Sequence, residues 1–134
     1  MSLRGIHHVG VAVADLDEAI ATYERLFGAI VEHRGLIEGQ GVEAAYLRIG
    51  AGRVELLAAT GEDSPVGRFL ARRGPGMHHL AFETEDVDRE LRVLAAAGAP
   101  LIDETPRPGL EGFQTAFVHP DAAYGVLTEV VSGG

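Results

Sequence analysis

The chain contains one pattern twice, and this constrains its fold more than any other feature. Residues 6–19 read IHHVGVAVADLDEA and residues 77–90 read MHHLAFETEDVDRE. Both run apolar-His-His-apolar-small-apolar and then acidic-apolar-Asp, with His79 standing 71 positions after His8. Each copy is followed by a helical pattern and later by an apolar strand pattern carrying one Glu. These are GRVELL around Glu55 and GVLTEVV around Glu129, which lie 74 positions apart. Two copies at so long a period do not make a solenoid. They make a duplicated half-domain.

The local signals give each copy the same order of elements. HHVGVAV at 7–13 is rich in β-branched residues and predicts a strand. Asp15 with Glu18 three places later is a capping-box-like helix start. Leu16, Ala19, Ile20, Tyr23 and Phe27 then keep helical spacing, with Gly28 as the stop. Strands are expected near 30–34, 43–49 and 53–58, followed by a short helix with Ser64 as N-cap and Pro65 at its first position. The second copy predicts a strand at 78–83 and a helix from about Asp86 to a stop at Gly98. Strands near 101–103, 113–118 and 125–131 complete it. The expected class is α+β, with two tandem βαβββ modules forming a curved mixed sheet around a metal site. At 134 residues the chain has the size of one domain. Module one is expected at about 5–60, the connecting helix at about 64–73 and module two at about 76–132.

Alternation across a strand allows only one His of each pair to face a given side. His8 shares its face with Gly10 and Ala12, and His79 shares its face with Ala81. The opposite faces carry Val9, Val11 and Val13, and Leu80 and Phe82, which should pack against helices. Small residues leave space, so His8 and His79 are expected to line a cavity while His7 and His78 lie on the helix side. Glu55 and Glu129 each sit inside an apolar run, where a carboxylate costs several kcal/mol to bury without compensation. One such Glu has an ordinary explanation in an Arg partner, and one such His in a core hydrogen bond. Two of each, at matching places in a duplicated unit, point instead to a metal site of His8, Glu55, His79 and Glu129. Imidazole with carboxylate suits Zn, Co, Ni, Mn or Fe(II) rather than calcium or copper.

Bulk properties exclude several other functions. The net charge of −9 argues against a nucleic-acid partner, which needs clustered cations, and the only local cluster is Arg68, Arg72 and Arg73. No apolar run approaches the roughly 20 residues that span a bilayer. The absence of a secretory signal in MSLRGIHHVG and the absence of cysteine fit a cytoplasmic protein.

The motifs then resemble the vicinal-oxygen-chelate superfamily, and within it the methylmalonyl-CoA epimerases, over nearly the whole chain. They are HHVGVAVADLDEAI, QGV at 40–42, VELL at 54–57, DSPVGRFLARRGPGMHHLAF at 63–82, LIDETPRPGLEG at 101–112 and HPDAAYGVLTEV at 119–130. The resemblance implies an isomerase with one divalent metal ion, cobalt first, with Ni, Mn, Zn or Fe as alternatives. It would interconvert (R)- and (S)-methylmalonyl-CoA by α-proton abstraction through a metal-stabilised enolate. The family's ligand positions match His8, Glu55 (Gln in some members), His79 and Glu129. An acyl-CoA substrate and a homodimer are the expected partners, although the sequence does not decide whether the site closes within one chain or across two.

Three positions depart from the family. Ala44 stands where some members carry a catalytic Glu, and Glu43 should point to the other face of its strand. The catalytic role therefore falls to Glu129 and Glu55. Asp121 replaces the Lys of a usual His-Pro-Lys, and Tyr124 replaces a small residue. Competing readings are a glyoxalase I-like lactoylglutathione lyase and a non-enzymatic small-molecule binding protein of the same fold. The binding protein would need no quartet of two His and two Glu. An extradiol dioxygenase would typically use two His and one carboxylate.

Overall fold

The computed structural model describes residues 3–133 and is α+β, with eight strands in one mixed sheet and three α-helices. The strands are β1 (Leu3–Ala12), β2 (Ile30–Ile37), β3 (Val42–Ile49), β4 (Gly52–Ala59), β5 (Gly76–Thr84), β6 (Arg107–Pro108), β7 (Gln114–Val118) and β8 (Thr128–Ser132). The helices are α1 (Leu16–Phe27), α2 (Pro65–Arg73) and α3 (Val87–Ala96). The expected βαβββ order is present in both copies. No helix among the described residues is long and apolar enough to cross a membrane.

Two compact units divide the described residues, one of residues 8–78 and one of residues 3–7 with 79–133. Both cuts fall between the two histidines of a pair, inside β1 and β5, rather than in the connecting segment around α2. Each unit therefore takes its first His from one copy of the repeat and its second from the other.

In the 8–78 unit the strands lie in the order β2-β3-β4-β1, with β1 parallel to β4 and the other pairs antiparallel. A parallel neighbour needs a crossover, which α1 begins. Asp15 caps α1 by accepting from Glu18 N–H at 3.0 Å. The helix stops at Gly28, whose φ of 66° is left-handed and costs a glycine little. Leu16 and Ile20 of α1 pack onto Val13, Ala45, Leu47, Leu56 and Ala58, with Val11, Tyr23 and Ile49 around them. This cluster is the expected helix-facing side of the sheet. Ser64 caps α2 by accepting from Gly67 N–H at 3.0 Å. Gly67 is required because a Cβ there would lie 2.8 Å from the Glu62 carbonyl oxygen. Gly67→Ala is thus expected to cost about 1–3 kcal/mol, read as a lower urea midpoint.

One edge of this sheet is held by charge. Glu32 accepts from Arg48 Nε at 2.7 Å and Arg53 Nε at 2.9 Å. Burial pushes its carboxyl up, but the hydrogen bonds from Arg53 and Arg48, with their charges, hold it below its usual value of 4.5. A depressed carboxyl contributes stability above its unfolded pKa, and that contribution disappears as pH falls through the folded one. Glu32→Gln is expected to remove about 0.5–1 kcal/mol at neutral pH and to flatten the loss of stability below pH 4.5, as measured by denaturation at several pH values.

In the other unit the strands run β5-β8-β7-β6, with β5 parallel to β8 and β7 antiparallel to both its neighbours. Asp86 caps α3 by accepting from Arg89 N–H at 3.1 Å. Val87 and Leu91 pack on Ala116 and Val130. The expected strand at 101–103 is reduced to one bridge, Leu101 to Val118. Pro100 cannot donate, and Asp103 turns its side chain to accept the Phe117 N–H at 2.9 Å. The third paired segment is instead Arg107–Pro108. The expected strand at 125–131 begins only at Thr128, because Tyr124 adopts a left-handed backbone (φ 55°) and Gly125 follows it (φ 90°).

Candidate functional site

In the 8–78 unit, register places His8 and Glu55 on one face. Gly10 pairs with Glu55, Glu55 with Tyr46, and Tyr46 with His33, and directly paired residues point to the same side. His8 shares that face two residues before Gly10. His8 Nε2 lies 3.2 Å from Glu55 Oε1, and both side chains are almost wholly buried. The Tyr46 ring packs against His8 with centroids 5.0 Å apart and is itself buried. Ala44, fully buried, is the next residue on this face of β3, and it pairs with Leu57.

The other unit repeats the arrangement. Ala81 pairs with Glu129 and Glu129 with Phe117, so His79, Glu129, Phe117 and Thr115 share a face. His79 Nε2 lies 3.6 Å from Glu129 Oε1, with both side chains buried. Phe117 meets the His79 ring edge-on at 5.6 Å. Thr115 Oγ1 donates to Glu129 Oε2 at 2.5 Å. Neither Thr115 nor Tyr46 was marked by sequence. Thr115 is two residues from Phe117 in QTAFV, and only the β7–β8 register reveals what it faces. Thr115→Val keeps the shape and removes the donor. It is expected to weaken metal retention about 10–100-fold by leaving the Glu129 carboxylate unanchored, checked by chelator competition.

The first histidine of each pair behaves differently. His78 stands edge-on to Phe69 of α2 at 5.0 Å, on the helix side as expected. His7 is buried against Phe113, at 5.5 Å, in the turn before β7 rather than on a helix. His7→Asn and His78→Asn are both expected to keep parental metal content by elemental analysis.

Glu43 lies on the helix-facing side of β3, opposite to Ala44. There it accepts from Arg34 Nε at 3.1 Å, and Arg34 also pairs with Asp17 at 2.7 Å. Hydrogen bonds to Asp17 and Glu43 push the Arg34 pKa above its usual value. Glu43 is thus part of a clamp between β2, β3 and α1.

His8 with Glu55 in one unit, and His79 with Glu129 in the other, are buried pairs in which each residue offers one atom able to bind a metal ion. The donor set fits such an ion chemically. Two neutral imidazole nitrogens and two carboxylate oxygens balance a divalent charge, and the chain has no cysteine to offer a thiolate.

A model of the Glyoxalase/Bleomycin resistance protein/Dioxygenase superfamily matches residues 7–117. The human mitochondrial methylmalonyl-CoA epimerase is 32% identical over 130 residues, which cover 96% of this chain and 74% of that protein. The crystal structure of methylmalonyl-CoA epimerase from Mycobacterium tuberculosis superposes with a TM-score of 0.93 at 38% identity, covering 98% of this chain and 89% of that one. A Streptomyces coelicolor methylmalonyl-CoA epimerase variant in complex with 2-nitronate-propionyl-CoA gives 0.94 at 40% identity, covering 99% and 96%.

Proposed function

Because the chain belongs to the Glyoxalase/Bleomycin resistance protein/Dioxygenase superfamily, and within it to the methylmalonyl-CoA epimerase family, we propose that it interconverts (R)- and (S)-methylmalonyl-CoA. The observation that carries this reading is the buried His–Glu pair found once in each module, His8 with Glu55 and His79 with Glu129. The four residues would together hold one divalent ion, cobalt being the first candidate, with residues 1–134 acting as one domain. When bound, the ion supplies positive charge to substrate oxygens, which lowers the cost of the negative charge that develops as the α-proton leaves.

The chain's own residues supply the rest. A carboxylate oxygen of Glu129 takes the α-proton, the Cα–H bond breaks, and its electron pair delocalises towards the thioester oxygen. A proton is then returned to the opposite face of Cα by a water molecule on the Glu55 side, and the hydroxide left behind takes the proton from Glu129, which inverts the centre and restores both groups. Thr115 keeps one Glu129 oxygen oriented so that the other can serve. Tyr46, Phe117 and the small residues Gly10, Ala12 and Ala81 shape the faces and exclude water, which strengthens electrostatic interactions there.

The direct test is α-proton exchange of methylmalonyl-CoA in deuterated water with metal-reconstituted protein. Incorporation of one deuteron at Cα with loss of stereochemical purity is expected. A reconstituted protein that retains its metal but neither exchanges nor epimerises the substrate would rule out the reaction.

A further inference from the structure

We propose that Arg53 and Arg107 are positioning residues, each holding an aromatic ring that orients one histidine of the metal-binding set: Tyr46 for His8, and Phe117 for His79. This rests on the metal reading above and extends it to side chains that would not themselves bind the ion. Tyr46 and Phe117 stand 71 positions apart, the spacing of His8 and His79, so they are equivalent places in the repeat. Register agrees within each unit, since Tyr46 pairs with Glu55 and Phe117 with Glu129. Each ring packs on the imidazole of its own face, with centroids 5.0 Å apart for Tyr46 and His8 and 5.6 Å for Phe117 and His79. A guanidinium then covers each ring, 6.0 Å from the centroid in both units.

The repeat does not supply the two arginines. Arg53 precedes Glu55 by two residues on β4, whereas Arg107 lies on β6 opposite Thr115, and the two stand 54 positions apart. The same contact is thus built from two unrelated places, which duplication of a half-domain does not explain. Each guanidinium is itself held. Arg53 Nε donates to Glu32 Oε1 at 2.9 Å, and Arg107 Nε lies 3.3 Å from Asp103 Oδ1. Asp103 Oδ2 also accepts the Phe117 N–H at 2.9 Å, so one carboxylate fixes both the Phe117 backbone and the cation over its ring. The need for such a device lies in the imidazole. Its χ2 torsion has a broad, roughly two-fold well, so rotamer preference alone does not keep a chosen nitrogen in place. The nitrogens concerned are His8 Nε2, 3.2 Å from Glu55 Oε1, and His79 Nε2, 3.6 Å from Glu129 Oε1. A ring against the imidazole restricts its rotation, and a cation attracted to the π face restricts the ring.

Chelator competition on the metal-loaded protein, and nuclear Overhauser contacts between ring protons in protein stripped of metal, test the assignment. Arg107→Met keeps an unbranched stem and removes the cation. It is expected to weaken metal affinity about three- to tenfold, and Phe117→Leu to weaken it more than about tenfold. The double variant is expected to match Phe117→Leu, because the guanidinium acts only through the ring. Phe117→Tyr retains the ring and is expected to keep parental affinity. Ring contacts between His79 and Phe117 are expected to weaken in Arg107→Met, and those between His8 and Tyr46 in Arg53→Met. Unchanged ring contacts in either arginine variant overturn the proposal, as does unchanged metal affinity of Arg107→Met, even where the urea midpoint falls. Effects of Arg107→Met and Phe117→Leu that multiply in the double variant also overturn it, as does a Phe117→Tyr protein as weak as Phe117→Leu. The two arginine variants carry the test by themselves if Phe117→Leu does not fold. If the parent retains no ion yet its ring contacts depend on Arg107 and Arg53, the metal reading fails and the positioning role stands.

Discussion

Replacing His79 with alanine is expected to lower metal affinity more than about 100-fold and to reduce epimerase turnover to background. The reference for that magnitude is that removing a group which merely orients a ligand costs about 10–100-fold. His79 would be a ligand itself, and its nitrogen lies 3.6 Å from Glu129 Oε1 in a buried setting. Its loss would leave Glu129 facing a void on a strand flanked by Val130 and Val131, both buried. His8→Ala should behave in the same way through Glu55. Metal content after dialysis, read beside circular dichroism to confirm folding, measures the effect. A folded His79→Ala protein with parental metal content would show that the ion is held elsewhere.

Glu129→Gln should separate metal binding from chemistry. The amide keeps an oxygen donor and the hydrogen bond from Thr115, but it cannot accept the α-proton. A general base contributes about 10²–10⁴ in rate, and a loss of that size with most of the metal retained is the expected result. Glu43→Gln provides the contrast. Glu43 lies on the helix-facing side of β3 with Arg34, and its loss should weaken that clamp while leaving exchange near parental. If Glu43→Gln instead abolished exchange with the metal in place, Glu43 would be the base. Ala44 makes this comparison informative, since it fills the position on the His8 face of β3 with a side chain that can carry no proton.

The faces of the strands are legible in the sequence because alternation is a local property. Val11 and Val13 against α1, and His8 with the small Gly10 and Ala12 on the other side, follow from period two and residue size alone. The caps at Asp15, Ser64 and Asp86 were readable for the same reason, since each involves a side chain and a backbone N–H three residues on. The repeat supplied the pairing of His8 with Glu55 and of His79 with Glu129, although no part of the sequence states how far apart those atoms lie.

What the sequence left undetermined depends on register and on contacts between distant segments. Thr115 reaches Glu129 only because β7 and β8 pair so that Phe117 opposes Glu129. Glu32 binds Arg48 and Arg53 across three strands, and Arg34 ties β2 to both Glu43 and Asp17. The strand expected at 101–103 gave way to a hydrogen bond that the Asp103 side chain accepts from Phe117 N–H, a competition that propensity does not weigh. The sequence thus determined most of the elements and their faces and pointed to four candidate donor residues, because these follow from spacing and side-chain chemistry along the chain. The tertiary structure alone decided which neighbours hold those donors and that each compact unit takes one histidine from each repeat, because strand pairing is settled by packing between segments far apart in the chain.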